Sequence, residues 1–314
     1  MPTSRTFFFA LKVFISALLI TYLFRETSWS DAWRAAHGLS ALSLLAGTLL
    51  LTAYFFSSGV RWLIIIRSLG SDMRTRDATS ITFVAYFFNQ FLPATVGADI
   101  VRMWQSARTG IGIPVAINSV VLERASNLIC LAILAEAGLL LWNDGQLPAE
   151  ILWGLGAVCL AALAIPLPLL FANRLPIGNI WPRAFNSAEK LARDSGLFFH
   201  SPVAVSLSSL ALVAGQAAFA LAAWTLAQAL DIPLDLTSCL ALMPAVVLVS
   251  SLPISIAGWG VREYAIVNLL GYAGVPAASA LALSLTLGAL SIIATLPGAA
   301  LWLTLRRRPT DIVT

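Results

Sequence analysis

The sequence predicts an all-α polytopic membrane protein, and three observations carry that expectation. Hydrophobic residues make up 59% of the 314 residues and charged residues only 11%, whereas soluble domains carry roughly a quarter charged residues. Mean hydropathy is +0.87. The apolar residues also gather in windows long enough to cross a bilayer, whose hydrocarbon core requires about 20 residues per helix. Finally, LPATVGADIVR at Leu92–Arg102 returns as LPISIAGWGVR at Leu252–Arg262, with Pro and Arg nine positions apart in both copies (93 to 102, 253 to 262). A duplicated apolar segment broken by Pro and Gly is the sequence mark of a repeat-built membrane protein with a site near the bilayer midplane.

About six full spans follow in order: Phe7–Phe24, Leu39–Ile66, Ile113–Trp142, Ile151–Ala172, Val203–Ala229 and Pro276–Leu305. The first follows Arg5 and could be read as a signal peptide. Lys12 interrupts it and no A-x-A site follows at the right distance, so an uncleaved helix is expected. Two further segments, 78–112 and 237–275, are apolar but broken in the middle by Pro and Gly.

Basic residues orient these segments. Arg67, Arg74 and Arg76 mark one cytoplasmic loop, Arg174, Arg183, Lys190 and Arg193 a second, and Arg306–Arg308 a cytoplasmic tail over 306–314. Loops 143–150 and 230–236 carry only acidic charges, so they are expected outside; Arg25 and Arg34 in the first outer loop run against the rule. With these anchors each broken segment crosses an even number of times. Each is too short for two full helices, so each is expected to be a re-entrant hairpin, with tips at Pro93–Gly97 and Pro253–Gly260. Residues 1–142 then read span, span, hairpin, span from the inside, and 151–305 repeat that order from the outside. This is an inverted-topology repeat, with an amphipathic surface helix at 175–200. Both termini are expected in the cytoplasm, with the protein multi-pass in the inner (cytoplasmic) membrane.

The net charge of +4 lies mostly in loops and argues topology rather than nucleic-acid binding. Cys130, Cys159 and Cys239 stand alone in apolar runs, and His37 and His200 are isolated, so neither a metal site nor a disulfide framework is expected. No Walker loop, catalytic triad order or paired carboxylates in a soluble loop is present, which leaves a hydrolase, an ATP-driven pump or a metalloenzyme without support. No catalytic residue and no cofactor is expected.

NQFLPATVGADIVRMW, then VVLERASNL about thirty residues on, then SLPISIAGWGVREYA resemble the flippase-like transmembrane domain of lysylphosphatidylglycerol synthases and its many stand-alone relatives. The resemblance covers nearly the whole chain. Pro93, Gly97, Asp99, Arg102, Glu123, Arg124, Pro253, Gly258, Gly260, Arg262 and Glu263 match the family pattern; Ala98 departs from it where a second glycine is common. The soluble aminoacyl-transfer domain of full-length synthases has no room after Leu305. The resemblance implies a phospholipid or polyprenyl-linked lipid as partner.

Charges at mid-membrane cost roughly 2.5–3.5 kcal/mol each on insertion scales, so they are paired or line a watery cavity. Ser119, Glu123 and Asn127 fall at i, i+4 and i+8 and form one polar stripe with Arg124 at its edge. The stripe either ties helices together by hydrogen bonds and an ion pair or faces a headgroup cavity; the two are compatible. Arg102, with Arg108 close behind, reads equally as an interfacial anchor. Arg262 follows a Gly-rich turn on the outer side, where basic residues are scarce, and suits a phosphate.

The expected function is movement of a lipid with a polar, phosphate-bearing headgroup between leaflets through a cavity between the two tips. Arg102 and Arg262 would bind the headgroup, Glu123 and Arg124 would form a gating pair, and Asn89, Gln90, Ser250 and Ser251 would add neutral hydrogen bonds. A membrane-embedded transferase for a lipid-linked substrate, or an accessory subunit of a lipid-synthesis enzyme, are the alternatives.

Overall fold

The computed structural model describes residues 18, 21, 38–91, 95–142, 148–164, 191, 193–251 and 259–306. Every regular element among them is helical. In chain order these are α1 (Ala41–Ser68), α2 (Thr75–Phe91), α3 (Thr95–Ala107), α4 (Ile113–Trp142), α5 (Ala149–Ala164), α6 (Pro202–Ala229), α7 (Leu236–Ser251), α8 (Val261–Tyr272), α9 (Ala277–Thr295) and α10 (Pro297–Arg306).

Among the described residues, four stretches are long and apolar enough to cross a membrane: α1, α4, α6, and α9 with α10 over Ala277–Thr304. They coincide with four of the six expected spans. The expected span Phe7–Phe24 lies outside the described residues apart from two helical positions, and Ile151–Ala172 is described only through Ala164 as the short helix α5. Of the surface helix expected at 175–200, residues 193–199 are helical and 175–190 lie outside the described residues. The apolar window ending at Leu305 is two helices in succession, because Pro297 lacks the N–H that would continue α9.

The helix ends are set by local chemistry. The Ser40 hydroxyl accepts the Ser43 N–H at 3.1 Å and starts α1, and Gly70 at φ +82° turns the chain after it. Ser201 caps α6 in the same way, with Pro202 behind it where a missing N–H is harmless. Asp235 starts α7: the Ser238 hydroxyl and N–H both donate to its carboxylate and hold it below the usual carboxylate range.

The segments expected to be broken are pairs of short helices. α2 has 17 residues and α3 13, α7 has 16 and α8 12. At about 1.5 Å per residue these reach roughly 18 to 26 Å, short of the roughly 30 Å hydrocarbon core. Gly97, expected in the first tip, lies in the first turn of α3 instead. Pro244 stays inside α7 without ending it.

At the centre α1 and α6 pack along much of their length, eased by Gly215 of α6 against Ser57 and Tyr54 of α1. Around them α2 packs on α1 and α10, and α7 packs on α6 and α4. Two of these crossings are made at glycines. Gly298 of α10 lies against the Phe83 backbone of α2, and a methyl at Gly138 of α4 would sit 2.8 Å from the Ala241 carbonyl oxygen of α7. Small residues at such crossings let backbones approach, which is how helices associate where lipid supplies no hydrophobic drive. Gly138→Leu is therefore expected to force α4 from α7 and cost about 1–3 kcal/mol. A thermal melt in detergent reads this, and an unchanged midpoint would refute the close crossing.

The outward faces carry exposed Leu42, Leu49, Ile133, Leu141, Trp153, Leu160 and Leu210, an apolar surface that only a lipid environment accommodates.

Candidate functional site: a cavity lined by four arginines

The short helices and the central pair enclose a cavity of about 210 Å³. α1 contributes Tyr54, Ser57, Ser58 and Arg61; α2 Tyr86, Asn89 and Gln90; α3 Asp99 and Arg102; α4 Glu123, Arg124 and Asn127. Across from them stand Gln216 of α6, Ser250 and Ser251 of α7, Arg262 of α8 and Ser291 of α9. Nine residues singled out from the sequence thus line one cavity: Asn89, Gln90, Asp99, Arg102, Glu123, Arg124, Ser250, Ser251 and Arg262. Gly97, Gly260 and Glu263 stand behind the lining, and Pro93, Pro253 and Gly258 lie outside the described residues.

The ion pairs differ from expectation. Glu123 and Arg124 do not pair with each other; each finds its partners on other helices. Glu123 sits between two arginines, paired with Arg61 and accepting from Arg102 Nη1 at 2.9 Å. Arg124 forks onto Asp99, with Nε and Nη2 each 3.1 Å from one carboxylate oxygen. Asp99 Oδ1 is also 3.9 Å from Arg102. The result is an alternating chain, Arg61, Glu123, Arg102, Asp99, Arg124, in which, among the described residues, three cations meet two anions.

Burial sharpens this. Arg61 and Arg102 are each 5% exposed and Glu123 3%, while the Arg124 side chain is 38% exposed. Arg61 Nη1 and Arg102 Nε and Nη2 are buried without a hydrogen-bond partner, as are Asn89 Oδ1 and Gln216 Oε1. Buried guanidinium N–H groups left unpaired are costly, so the arrangement favours an anion. Arg102 is held in place from behind, its guanidinium 4.8 Å from the Trp62 ring centre. Trp62 in turn donates its indole N–H to Ser119 at 3.1 Å. Of the polar stripe on α4, Ser119 thus ties helices while Glu123 and Asn127 face the cavity.

Arg262 is built differently. Its Nε and Nη2 lie 3.0 and 2.5 Å from Glu263 Oε1, and Glu263 Oε2 accepts the Gly260 N–H at 2.6 Å. Gly260 turns the chain into α8 at φ +86°, a conformation that penalises any side chain. The guanidinium rests 4.8 Å from the Trp259 ring centre and beside Gly288, where a Cβ would collide with it. Arg102 is the eighth residue of α3 and Arg262 the second of α8. The two motif arginines, matched in sequence, thus enter the same cavity from different helical positions.

Two smaller differences matter. The Ser250 and Ser251 hydroxyls donate to the Val246 and Leu248 carbonyls at 2.6 Å, so they offer the cavity lone pairs only. Arg108, close behind Arg102 in the sequence, does not share its cavity: it stacks on Trp104 at 4.8 Å and borders a separate one.

Arg61 is the charged cavity residue that sequence reasoning passed over. The signal was present: Tyr54, Ser58 and Arg61 fall at i, i+4 and i+7 and mark a polar face on an otherwise apolar helix.

A family model described as the lysylphosphatidylglycerol synthase transmembrane region matches residues 9–298. The chain belongs to this family. The match takes in every helix described here except α10, of which it covers only the first two residues, and it includes every residue that lines the cavity. No curated protein matches the chain closely enough to name as a relative. Family membership makes this a membrane protein of a lipid-related family.

Proposed function

We propose that this chain moves an amphipathic lipid with a phosphate-bearing headgroup between membrane leaflets. The observation that carries the reading is the set of unpartnered guanidinium N–H groups of Arg61 and Arg102, buried in a cavity where, among the described residues, three cations meet two anions. Guanidinium forks match phosphate oxygens better than any other side chain does. The volume fits as well. About 210 Å³ is below the roughly 300–1,000 Å³ of pockets that engulf a whole ligand, so it suits a headgroup whose acyl chains stay outside in lipid.

The helix pairs α2/α3 and α7/α8 are each a re-entrant hairpin in this reading, supported by their short arms. The chain is an inverted repeat of 1–142 and 151–305, with the hairpins contributing opposite walls of one cavity. Several pairings support it: α1 against α6 at the centre, α4 against α7 as α10 against α2, and glycine at both of the latter crossings. Arg102 and Arg262 bind the headgroup with Arg61, and the cavity opens alternately to each face.

Two measurements test these statements. A cysteine placed at position 72, with Cys130, Cys159 and Cys239 replaced, should be labelled only from the cytoplasmic side of intact cells. Labelling from outside would overturn the repeat. Purified protein titrated with short-chain phosphatidylglycerol and with diacylglycerol should prefer the phosphate lipid by about tenfold or more, the equivalent of one charged hydrogen bond. Equal affinity would remove phosphate recognition from the site.

A further inference from the structure

We propose that anion binding in this cavity is coupled to uptake of one proton by Glu123, which makes the chain a proton-linked carrier. This rests on the phosphate-headgroup reading above and adds a driving force to it.

Glu123 differs from the other carboxylates of the site in what holds it. Both its oxygens are engaged only by cavity arginines, Oε1 by Arg61 and Oε2 by Arg102, and the residue is 3% exposed. Asp99 keeps the forked Arg124, and Glu263 keeps the Gly260 N–H. The unpartnered N–H groups belong to those same two arginines. A phosphate that takes them therefore shares the guanidinium groups that neutralise Glu123, and places a second anion beside a carboxylate withdrawn from water. A like charge in such surroundings disfavours the ionised form, and a buried carboxylate deprived of its cation takes a proton rather than remain charged.

The other groups around Glu123 do not fill that role. α1 presents Arg61 and Tyr54, α2 Tyr86, and α3 Asp99 and Arg102, with Arg124 next in α4; α6 and α7 bring only the neutral Gln216, Ser250 and Ser251. Further along α4, Glu136 is turned to Cys159 of α5, and Asp194 is bonded by Asn118. The step is balanced simply. One proton leaves the water phase for a Glu123 carboxylate oxygen as the anion arrives, and returns to water on the other side when the anion leaves.

The test uses the purified full chain and short-chain phosphatidylglycerol, whose phosphodiester does not titrate between about pH 5.5 and about pH 8.5. Binding calorimetry in two buffers of different protonation enthalpy counts protons taken up, and Kd is followed across the range. Wild type should take up close to one proton and bind about three- to tenfold more tightly per pH unit as pH falls, the linkage expected of one coupled proton. Glu123→Gln should bind tightly with a flat profile, and Asp99→Asn should keep the slope. Wild-type binding with no proton taken up would overturn the coupling and leave the headgroup site standing, a result that needs no variant to fold. A slope that survives in Glu123→Gln would also overturn it. Absence of phosphatidylglycerol binding at every pH would overturn the headgroup reading and the coupling together.

Discussion

Arg102→Ala should reduce lipid movement about ten- to a hundredfold, the largest functional loss expected from a single substitution at this site. Arg102 supplies two of the three buried, unpartnered guanidinium atoms, bridges Glu123 and Asp99, and is braced by Trp62. Its removal takes away charge-assisted hydrogen bonds worth about 1.5–3 kcal/mol and leaves Glu123 with Arg61 alone. Arg76→Ala is the fitting control, since Arg76 is exposed in the first turn of α2 and does not line the cavity. The initial rate at which a labelled phospholipid becomes accessible in the opposite leaflet of liposomes reads the difference. Rates equal to wild type in Arg102→Ala would remove this residue from headgroup binding.

Glu123→Ala should be the most destabilising change. It leaves Arg61 and Arg102, both 5% exposed, facing each other without the carboxylate that holds them, and breaking a buried ion pair in this way costs about 3–5 kcal/mol. Glu123→Gln should cost less, because an acceptor oxygen remains for one guanidinium. Changing Glu123 to Gln and Arg124 to Met together tests the assignment of partners. Were the two residues partners, the swap would remove one pair cleanly; here it opens three pairs at once, those of Glu123 with Arg61 and Arg102 and that of Arg124 with Asp99. Thermal midpoints of the purified variants order these effects, and a midpoint for Glu123→Ala within a degree or two of wild type would contradict the arginine bracket.

How much of this was legible in the sequence follows from what each signal measures. Hydropathy windows report averages over about twenty residues, so they located α1, α4, α6 and α9 with α10 well. The same averaging hid Arg61, one of two charges in a 28-residue helix whose other, Arg67, lies in the last turn. The duplicated motif drew attention to Arg102 and Arg262, and both line the cavity. It did not reveal that they sit at different helical positions, because motif spacing says nothing about where a helix begins. Gly97 illustrates the same limit: glycine permits a break but does not require one, and α3 had already started at Thr95. Partner choice was the least legible feature. Asp99 and Arg124 are 25 positions apart, Arg61 and Glu123 are 62 apart, and only packing of α1, α3 and α4 brings them together. The adjacency of Glu123 and Arg124 suggested a pair of the kind that Arg262 and Glu263 do form, but packing gives each of these two partners on other helices.

The central claim, that the chain moves a phosphate lipid across the bilayer unchanged, is tested most directly in liposomes reconstituted with the purified protein. Labelled phosphatidylglycerol in the inner leaflet should become accessible outside faster than in protein-free vesicles, with recovered lipid of unchanged mass. Exchange no faster than in protein-free vesicles, or a new lipid product by mass spectrometry, would contradict it, the latter in favour of a membrane-embedded transferase.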